Sequence, residues 1–377
     1  MKLFLSLLSI WALVGCTEKA ISPDRGSTLD AEIERVAKAS IVFSQAPGMA
    51  IGVLKNGQTT FYSVGVQNLS TGKPFDEYTI GEIGSISKTM TAILAAELVN
   101  QNRLSLSAPA NQYLPASLQI PAKDGKEVTV LHLLNHTSGL VTDPDDIPIS
   151  PNKLAQPFAE YSESRLAAFL KRTSLKSVPG STWVYSNIGM ALAGIIVRQL
   201  AGERITKLYD DRIFGPLGMT MSYTNLAKAP ASNVAQGYMG RKPFDYWTLA
   251  EPYESVGYIK SNVHDMLTYL KFLTNPPRNA LGEALNLTKK PTFLIKQGDQ
   301  SVNGHPYHDL SAGLAWGIVL NGKNESIYNH SGGTYGFSSF MCFNEQQKTG
   351  VIIIANAGIT PELSTIGLQI LHLVETY

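Results

Sequence analysis

The sequence GEIGSISKTMTAILAA, residues 81–96, joins a loop marked by Gly81 and Gly84 to a long apolar helical run. Ser85 and Lys88 are three residues apart, so on a helix their side chains share one face. Free N–H groups and the dipole at a helix start favour a developing negative charge. The apolar residues after Lys88 predict that it is buried, and burial lowers a lysine pKa so that the amine accepts a proton. The stretch predicts that Ser85 is a nucleophile activated by Lys88.

A second motif, Tyr185-Ser186-Asn187, comes directly before a strongly apolar helical stretch. A tyrosine close to a lysine ammonium loses its proton more easily than a free phenol, whose pKa is about 10. Tyr185 is therefore predicted to act as general base for Ser85 and later as acid for the leaving group. The amide of Asn187 is predicted to orient Lys88 or a substrate carbonyl. Taken singly, each motif is also typical of helix-capping residues beside a packed or solvated side chain.

A third motif, His330-Ser331-Gly332-Gly333, precedes a strand-like run at residues 337–343. Small residues there let a substrate backbone approach the edge of a strand. The N–H of Gly333 is the candidate for a second oxyanion donor, after that of Ser85. A separate Lys348-Thr349-Gly350 ends a polar run and is interpreted as a hairpin tip facing solvent.

Regular elements are predicted at both ends of the chain and in its middle. Residues 29–44 and the region from Thr360-Pro361-Glu362 onwards predict helices, the latter through its cap and first-turn proline. Asn56-Gly57 predicts a hairpin between two strands. The remaining predicted strands are 49–54, 59–66, 313–320, 337–343 and 351–356, and the middle helices are 85–101, 162–171, 188–201 and 263–273.

This arrangement predicts an α/β plus all-α fold: an antiparallel sheet flanked by helices, formed by both chain ends, with an inserted helical domain. The predicted boundaries place an α/β sandwich domain at 31–84 and 310–377, and a mainly helical domain at 85–309. The candidate site is expected at the seam between the two, because ligand sites tend to lie at domain interfaces.

Composition excludes some classes of function. The chain has 377 residues, 31 basic and 30 acidic side chains and a formal net charge of +1, so it lacks the basic footprint of a nucleic-acid-binding protein. Apolar residues make up 44% and charged residues 16%, which is typical of a well-buried globular enzyme. Length allows one large or two ordinary domains. No nucleic-acid partner is predicted.

The first residues predict export. Met1-Lys2 and the apolar run 3–14 are typical of a secretory signal, since a bilayer span needs about 20 apolar residues. Leu13-Val14-Gly15-Cys16 resembles a bacterial lipobox, which predicts lipidation of Cys16, with residues 1–16 as signal and 17–30 as tether. An ordinary cleaved signal or a short anchor is the alternative. We therefore expect a lipid-anchored protein of the bacterial cell envelope. Thr17, rather than an aspartate, follows Cys16, which resembles the pattern of lipoproteins sorted to the outer membrane.

With Cys16 modified, Cys342 has no partner for an internal disulfide. Cys342 lies in an apolar stretch and is expected to be a buried core residue rather than a nucleophile. His132 and His136 have the i, i+4 spacing of a helical zinc pair but lack the glutamate of that motif. No metal site is predicted, and His136 is expected to be structural.

Taken together and in this order, the three motifs resemble the serine β-lactamase and penicillin-binding-protein superfamily. The resemblance covers about residues 47–373. It is greatest to class C β-lactamases, D-alanyl-D-alanine carboxypeptidases and family VIII esterases, a group that corresponds to peptidase family S12. It implies an α/β sandwich domain plus a helical domain, with the site between them and no metal or organic cofactor. It also implies these roles: Ser85 as acylated nucleophile, Lys88 and Tyr185 as proton-transfer partners, Asn187 as contact for substrate and Lys88, and His330 facing the substrate.

One residue departs from that pattern. Class C β-lactamases look to have Lys-Thr-Gly where this chain has His330, and an imidazole with a pKa of about 6.5 is mostly neutral at pH 7. Strong cephalosporinase activity is therefore not expected. D-alanyl-D-alanine peptidases of the superfamily also carry histidine there, so carboxylate substrates stay possible. We predict that anionic substrates are handled better toward mildly acidic pH, which a flat profile between about pH 5.5 and 8 would contradict.

Three functions follow, in order of preference. The first is an amidase or peptidase acting on peptides that end in D-Ala, with weak β-lactam turnover. The second is a carboxylesterase acting on small acyl esters with the same three residues. The third is a non-catalytic penicillin-binding protein of the envelope, which the intact Ser85, Lys88 and Tyr185 disfavour. An α/β-hydrolase is disfavoured because the chain has no Gly-x-Ser-x-Gly elbow.

Overall fold

A computed structural model of the chain describes residues 28–147, 156–302, 305–358, 360 and 362–377. The predicted signal peptide at 1–16, Cys16 and most of the tether at 17–30 lie outside these residues. Pro361, which was predicted to open the last helix, also lies outside the described residues. Within the described ranges no helix is long and apolar enough to cross a membrane.

Within the described residues, twelve strands form the sheets. In chain order they are β1 (Gly48–Lys55), β2 (Gln58–Gly65), β3 (Gly81–Glu82), β4 (Gly237–Met239), β5 (Lys242–Phe244), β6 (Lys260–Ser261), β7 (Phe293–Val302), β8 (His305–Ala312), β9 (Gly317–Asn321), β10 (Ser326–Gly333), β11 (Ser338–Asn344) and β12 (Thr349–Ala355).

The main sheet has eight strands in the order β2-β1-β12-β11-β10-β9-β8-β7, and every neighbouring pair is antiparallel. Strands β1 and β2 come from the start of the chain and pair through β12 with strands from its end. The hairpin turns at Asn56 and Gly57, which both have positive φ, as an Asn-Gly turn of this type requires. The predicted fold class, an antiparallel sheet built from both chain ends, is confirmed.

The described helices in chain order are α1 (Leu29–Ser44), α2 (Ser87–Asn100), α3 (Val130–Leu134), α4 (Glu163–Arg172), α5 (Asn187–Ala201), α6 (Ile205–Tyr209), α7 (Gly215–Leu217), α8 (Glu254–Gly257), α9 (Val263–Thr274), α10 (Ala280–Thr288) and α11 (Glu362–Thr376). The terminal helices α1 and α11 pack together on one face of the main sheet, while α9 packs on the other face. Helix α2 lies among α5, α8 and α10 at the centre of the helical region.

Alternation along the strands separates two hydrophobic cores. In β12, Val351 and Ile353 face the core under α1 and α11, whereas Ile352 and Ile354 join the core shared with α9 and the helical region. Successive strand side chains point to opposite faces of a sheet, so an uninterrupted apolar strand supplies both cores. Cys342 is fully buried in the first core, as predicted.

The sheet extends further back along the chain than the boundary predicted at residue 310. Strands β7 and β8 lie at its edge, although residues 293–309 were assigned to the helical domain. Two features make these strands difficult to predict from the sequence. Strand β7 carries polar residues such as Lys296 and Gln297, and its pairing with β8 is broken by register shifts that remove simple alternation.

The Lys348-Thr349-Gly350 sequence lies at the β11–β12 connection. Lys348 is exposed and has positive φ in the turn, which confirms the predicted hairpin tip. Thr349, in contrast, is buried at the start of β12 rather than facing solvent, because β12 is covered on both faces.

Candidate active site

The nucleophile motif forms a tight turn in front of α2. A short 3₁₀ helix, Gly84–Ile86, precedes α2, so Ser85 lies one turn before the α-helix proper rather than within it. Gly84 has φ +48°, and a Cβ there would come within 2.6 Å of the Gly333 nitrogen. Only glycine fits this close approach and this backbone conformation. The turn therefore brings Ser85 beside β10 of the main sheet.

Lys88 is wholly buried and contacts Ser85 directly. Its Nζ lies 2.7 Å from Ser85 Oγ and donates to the Val256 carbonyl at 2.9 Å. Burial lowers the pKa of Lys88 well below its usual value, with the charge of Asp143 opposing the shift. Burial disfavours the charged form of the amine, and a neutral amine can take the serine proton.

Tyr185 lies against the same pair. It is 5% exposed, its hydroxyl is hydrogen-bonded to Ser85, and Lys88 Nζ is 5.1 Å from its ring centroid. Burial raises the pKa of Tyr185; the Ser85 hydrogen bond opposes this rise and the charge of Asp143 adds to it. The expectation that Lys88 makes Tyr185 more acidic is therefore wrong, because burial dominates the Tyr185 pKa and raises it. Tyr185 is better suited to donate a proton than to take one from Ser85.

His136 supports Tyr185 from behind. The two ring centroids are 4.5 Å apart, and His136 Nδ1 accepts a hydrogen bond from the Ser186 N–H at 3.2 Å. Burial lowers the pKa of His136 well below its usual value, so the ring is neutral. His132 instead caps α3 by accepting from the Thr129 N–H. No group of three or more His, Cys, Asp or Glu among the described residues is placed to hold a metal ion.

Asn187 opens α5 and is bound to a carboxylate that the sequence analysis did not single out. Its Nδ2 donates to both oxygens of Asp143, at 3.0 and 3.2 Å. No hydrogen bond joins Asn187 to Lys88 in the described part of the chain, and the expected contact between them stays a prediction. Burial raises the pKa of Asp143 to about 6, against the lowering effects of Asn187 and Lys88. In the sequence, the Pro- and Asp-rich surroundings of Asp143 indicate only a turn.

The third motif runs along the end of β10, opposite Ser85. His330 is 1% exposed, its ring centroid lies 6.4 Å from that of Tyr185, and its Nδ1 is 2.6 Å from the Ser331 carbonyl oxygen. Burial, followed by the Lys88 charge, lowers the pKa of His330 to about 3, against the hydrogen bond to Ser331. His330 is therefore neutral from pH 5.5 to 8. The predicted gain toward acidic pH through its protonation is wrong, because it assumed an accessible imidazole.

The rest of β10 is shaped by glycine. Ser331 is exposed, and Gly332 and Gly333 are partly exposed. A Cβ on Gly332 would lie 2.0 Å from the Ile83 carbonyl oxygen, so the strand and the nucleophile turn pack backbone against backbone. The Gly333 nitrogen therefore lies next to Gly84, the residue before Ser85.

A narrow pocket opens beside Ser85. Aromatic side chains form much of its wall, and it is lined by Gly84, Ser85, Phe158, Asn187, Trp247, Leu249, Tyr253, Val256, Gly257, Gly333 and Thr334. It lies between the helical region and the strands, as the seam was expected to. The structure thus brings Ser85, Lys88, Tyr185, Asn187 and the His330–Gly333 segment together, whereas Cys16 lies outside the described residues.

Comparison with known proteins agrees with this geometry. Residues 33–373 match the family described as Beta-lactamase. A β-lactamase of Escherichia coli K12 is 24% identical over 356 residues, covering 86% of this chain and 88% of the relative. A β-lactamase of Providencia stuartii is 25% identical over 370 residues, covering 91% of each chain.

Solved structures show the same fold. A β-lactamase/D-alanine carboxypeptidase from Pseudomonas syringae superposes with a TM-score of 0.74 at 23% identity, covering 92% of this chain and 99% of that one. A class C β-lactamase in complex with cefoxitin superposes with a TM-score of 0.75 at 24% identity, covering 91% and 98%. Because the family match covers most of the chain and Ser85 contacts Lys88, the chain belongs to the beta-lactamase family of serine hydrolases.

Proposed function

We propose that the protein hydrolyses acyl substrates through a covalent acyl-enzyme on Ser85. The observation that carries this proposal is the 2.7 Å contact between Ser85 Oγ and the wholly buried Nζ of Lys88. An amine whose charged form is disfavoured by burial acts as a base for a hydroxyl that it touches.

The protonation states favour one division of labour. Lys88 takes the Ser85 proton as the bond between Oγ and the substrate carbonyl carbon forms. Tyr185 is protonated and gives its proton to the leaving group as the bond between carbonyl carbon and leaving group breaks. The proton on Lys88 then passes to the Tyr185 oxygen, which restores both groups. In the second half of the reaction Lys88 takes a proton from water as the water oxygen bonds to the acyl carbon, and Tyr185 gives its proton to Ser85 Oγ as the ester bond breaks and the acid is released.

The oxyanion formed on the way needs donors in place before the reaction. The N–H groups of Ser85 and Gly333 are the candidates, since the turn at Gly84 is packed against the Gly333 backbone. Fixed backbone donors stabilise a tetrahedral intermediate without reorganising, and removing one donor costs about 10²- to 10³-fold in rate.

The test is acylation followed by intact mass. Full-length protein in mild detergent is incubated separately with a penicillin and with p-nitrophenyl acetate, beside Ser85→Ala. We expect an adduct or turnover with at least one reagent in the native protein and none in the variant. A lasting penicillin adduct supports the peptidase over a β-lactamase, because it means slow deacylation. No reaction with either reagent would refute the proposal and favour the non-catalytic envelope protein.

The amide substrates expected from the sequence, D-Ala peptides and β-lactams, carry a carboxylate. One observation favours the carboxylesterase as second candidate: His330 is buried and neutral where a fixed cation would bind that carboxylate. Turnover of p-nitrophenyl acetate with no penicillin adduct would decide for the esterase.

We also propose that the protein is exported and anchored through a lipid on Cys16. The support is the sequence Leu13-Val14-Gly15-Cys16 behind a short apolar run. Fractionation of bacteria expressing the native chain and Cys16→Ser tests it. The native protein is expected in the membrane fraction and the variant in the soluble exported fraction, and equal membrane retention would contradict lipid anchoring.

A further inference from the structure

Asp143 places a negative charge directly behind Asn187, which lines the pocket beside Ser85. The neighbouring Asp145 and Asp146 form ion pairs with Arg172, whereas Asp143 hydrogen-bonds to the neutral amide of Asn187. Burial raises the pKa of Tyr253 and Tyr335, and the charge of Asp143 adds to the rise in both. The charge of Asp143 therefore acts on Tyr253 of the pocket wall as well as on Lys88. Within the described residues, no arginine or lysine forms an ion pair with this carboxylate at contact distance, and the cation that acts on its pKa is Lys88.

The wall that this charge faces is aromatic. Phe158 lies at the centre, stacked on Tyr253 at 4.7 Å and edge-on to Trp247 at 5.6 Å between ring centroids. Tyr335 packs on the far side of Trp247 at 5.3 Å. Ring faces attract cations, and aromatic walls closed by a carboxylate are typical of sites that bind ammonium groups.

Buried polar atoms of the pocket indicate the same kind of ligand. Because Asp143 accepts on both oxygens, the Asn187 side chain must present its NH₂ to Asp143, which leaves Oδ1 turned away. Asn187 is 6% exposed, and its Oδ1 has no hydrogen-bond partner among the described residues. The Tyr253 hydroxyl is in the same situation. An acceptor-only oxygen beside a carboxylate matches a group rich in donors.

We propose that the pocket beside Ser85 binds an ammonium group on the acyl part of the substrate, held by Asp143 and Asn187 Oδ1 against the aromatic wall. This inference rests on the proposed acyl-enzyme function and names its substrate class: esters and amides of acids that carry a free amine, such as aminoacyl compounds. Asp143 acts here as a specificity-determining residue. Substrates with a carboxylate in this position are repelled.

The experiment compares two acyl groups of nearly equal shape. Alanyl and isobutyryl differ in that an ammonium replaces a methyl group, and the leaving group is the same ethyl thiol in both. Full-length protein in mild detergent is assayed at pH 7 by thiol release with D-alanyl, L-alanyl and isobutyryl thioesters. At this pH an α-amino group with a pKa near 8 is mostly protonated and Asp143, with a pKa of about 6, is mostly ionised.

We expect kcat/KM for one alanyl enantiomer to exceed that for isobutyryl in the native protein. In Asp143→Asn this ratio is expected to fall at least about tenfold, because the charge is lost while the shape is kept. The ratio cancels any change in machinery that both substrates share. Asp145→Asn is the matched control, since Asp145 lies in the same segment but pairs with Arg172, and its ratio should stay at the native value.

Two results overturn the inference: a native preference for isobutyryl over both alanyl thioesters, or an alanyl-to-isobutyryl ratio that is equal in the native protein and Asp143→Asn. The first needs no variant, so it holds even if Asp143→Asn fails to fold. Failure of every thioester, including isobutyryl, to acylate Ser85 by intact mass would overturn the inference. The proposed function would be refuted as well only if penicillin and p-nitrophenyl acetate also left Ser85 unmodified.

Discussion

Replacing Lys88 by methionine separates the cost of burying this lysine from its use in catalysis. Methionine has a similar length and no charge, and the position is fully buried. Burial lowers the pKa of Lys88 in the folded protein well below its usual value, whereas the unfolded chain keeps a value of about 10.4. Between these two pKa values the unfolded state holds a proton that the folded state lacks.

The linkage gives the magnitude. Stability rises with pH wherever the unfolded state binds more protons, by about 1.4 kcal/mol per pH unit for one proton. The native protein should therefore gain stability relative to Lys88→Met as pH rises toward 10. The expected gain in the free energy of unfolding is about 2 kcal/mol over one and a half pH units. At pH 8 the variant should be the more stable of the two, while its acylation rate falls by about 10²- to 10⁴-fold.

Urea unfolding at pH 8.0, 8.75 and 9.5 with linear extrapolation measures the difference. Lys38→Met is the matched control, because Lys38 is an exposed lysine paired with Glu34 on α1. A free-energy gap between the native protein and Lys88→Met that is constant over this range would refute the reasoning. It would mean that Lys88 keeps its proton on folding, and an already protonated amine cannot take the proton of Ser85.

Three further predictions concern the strand and turn around the nucleophile. Gly332→Ala should slow acylation at least about 10²-fold by intact mass, because its Cβ would lie 2.0 Å from the Ile83 carbonyl oxygen and push β10 from Ser85; native acylation would show that β10 supplies no oxyanion donor. The acylation rate of the native protein relative to His330→Asn, with a carboxylate-bearing substrate, should stay constant from pH 5.5 to 8, since the His330 pKa is about 3; a change centred near pH 6.5 would argue for a titrating imidazole. Glu82→Ala should lower the free energy of unfolding in urea by about 2 kcal/mol or more, because the buried carboxylate accepts from the Thr334 hydroxyl at 2.7 Å and from a backbone N–H; an unchanged midpoint would show that water satisfies those donors.

Local patterns were sufficient for the elements and for the order of the motifs. The apolar run after Lys88 indicated a buried lysine, and Asn56-Gly57 indicated the first hairpin, because both signals act over a few neighbouring residues. Strands β7 and β8 were missed for the same reason: β7 is a polar edge strand, and register shifts in its pairing with β8 remove simple apolar alternation.

By itself the sequence determined the family, the sheet of both chain ends and the nucleophile turn, since each depends on short-range spacing and on the order of motifs. Only the tertiary structure decided the protonation states and the position of the Asp143 carboxylate. Burial sets the pKa of Lys88, Tyr185 and His330, and burial is a property of all the surrounding chain rather than of neighbours in sequence. Asp143 reaches Asn187 across 44 residues, and folding alone brings its carboxylate to this lining residue of the pocket.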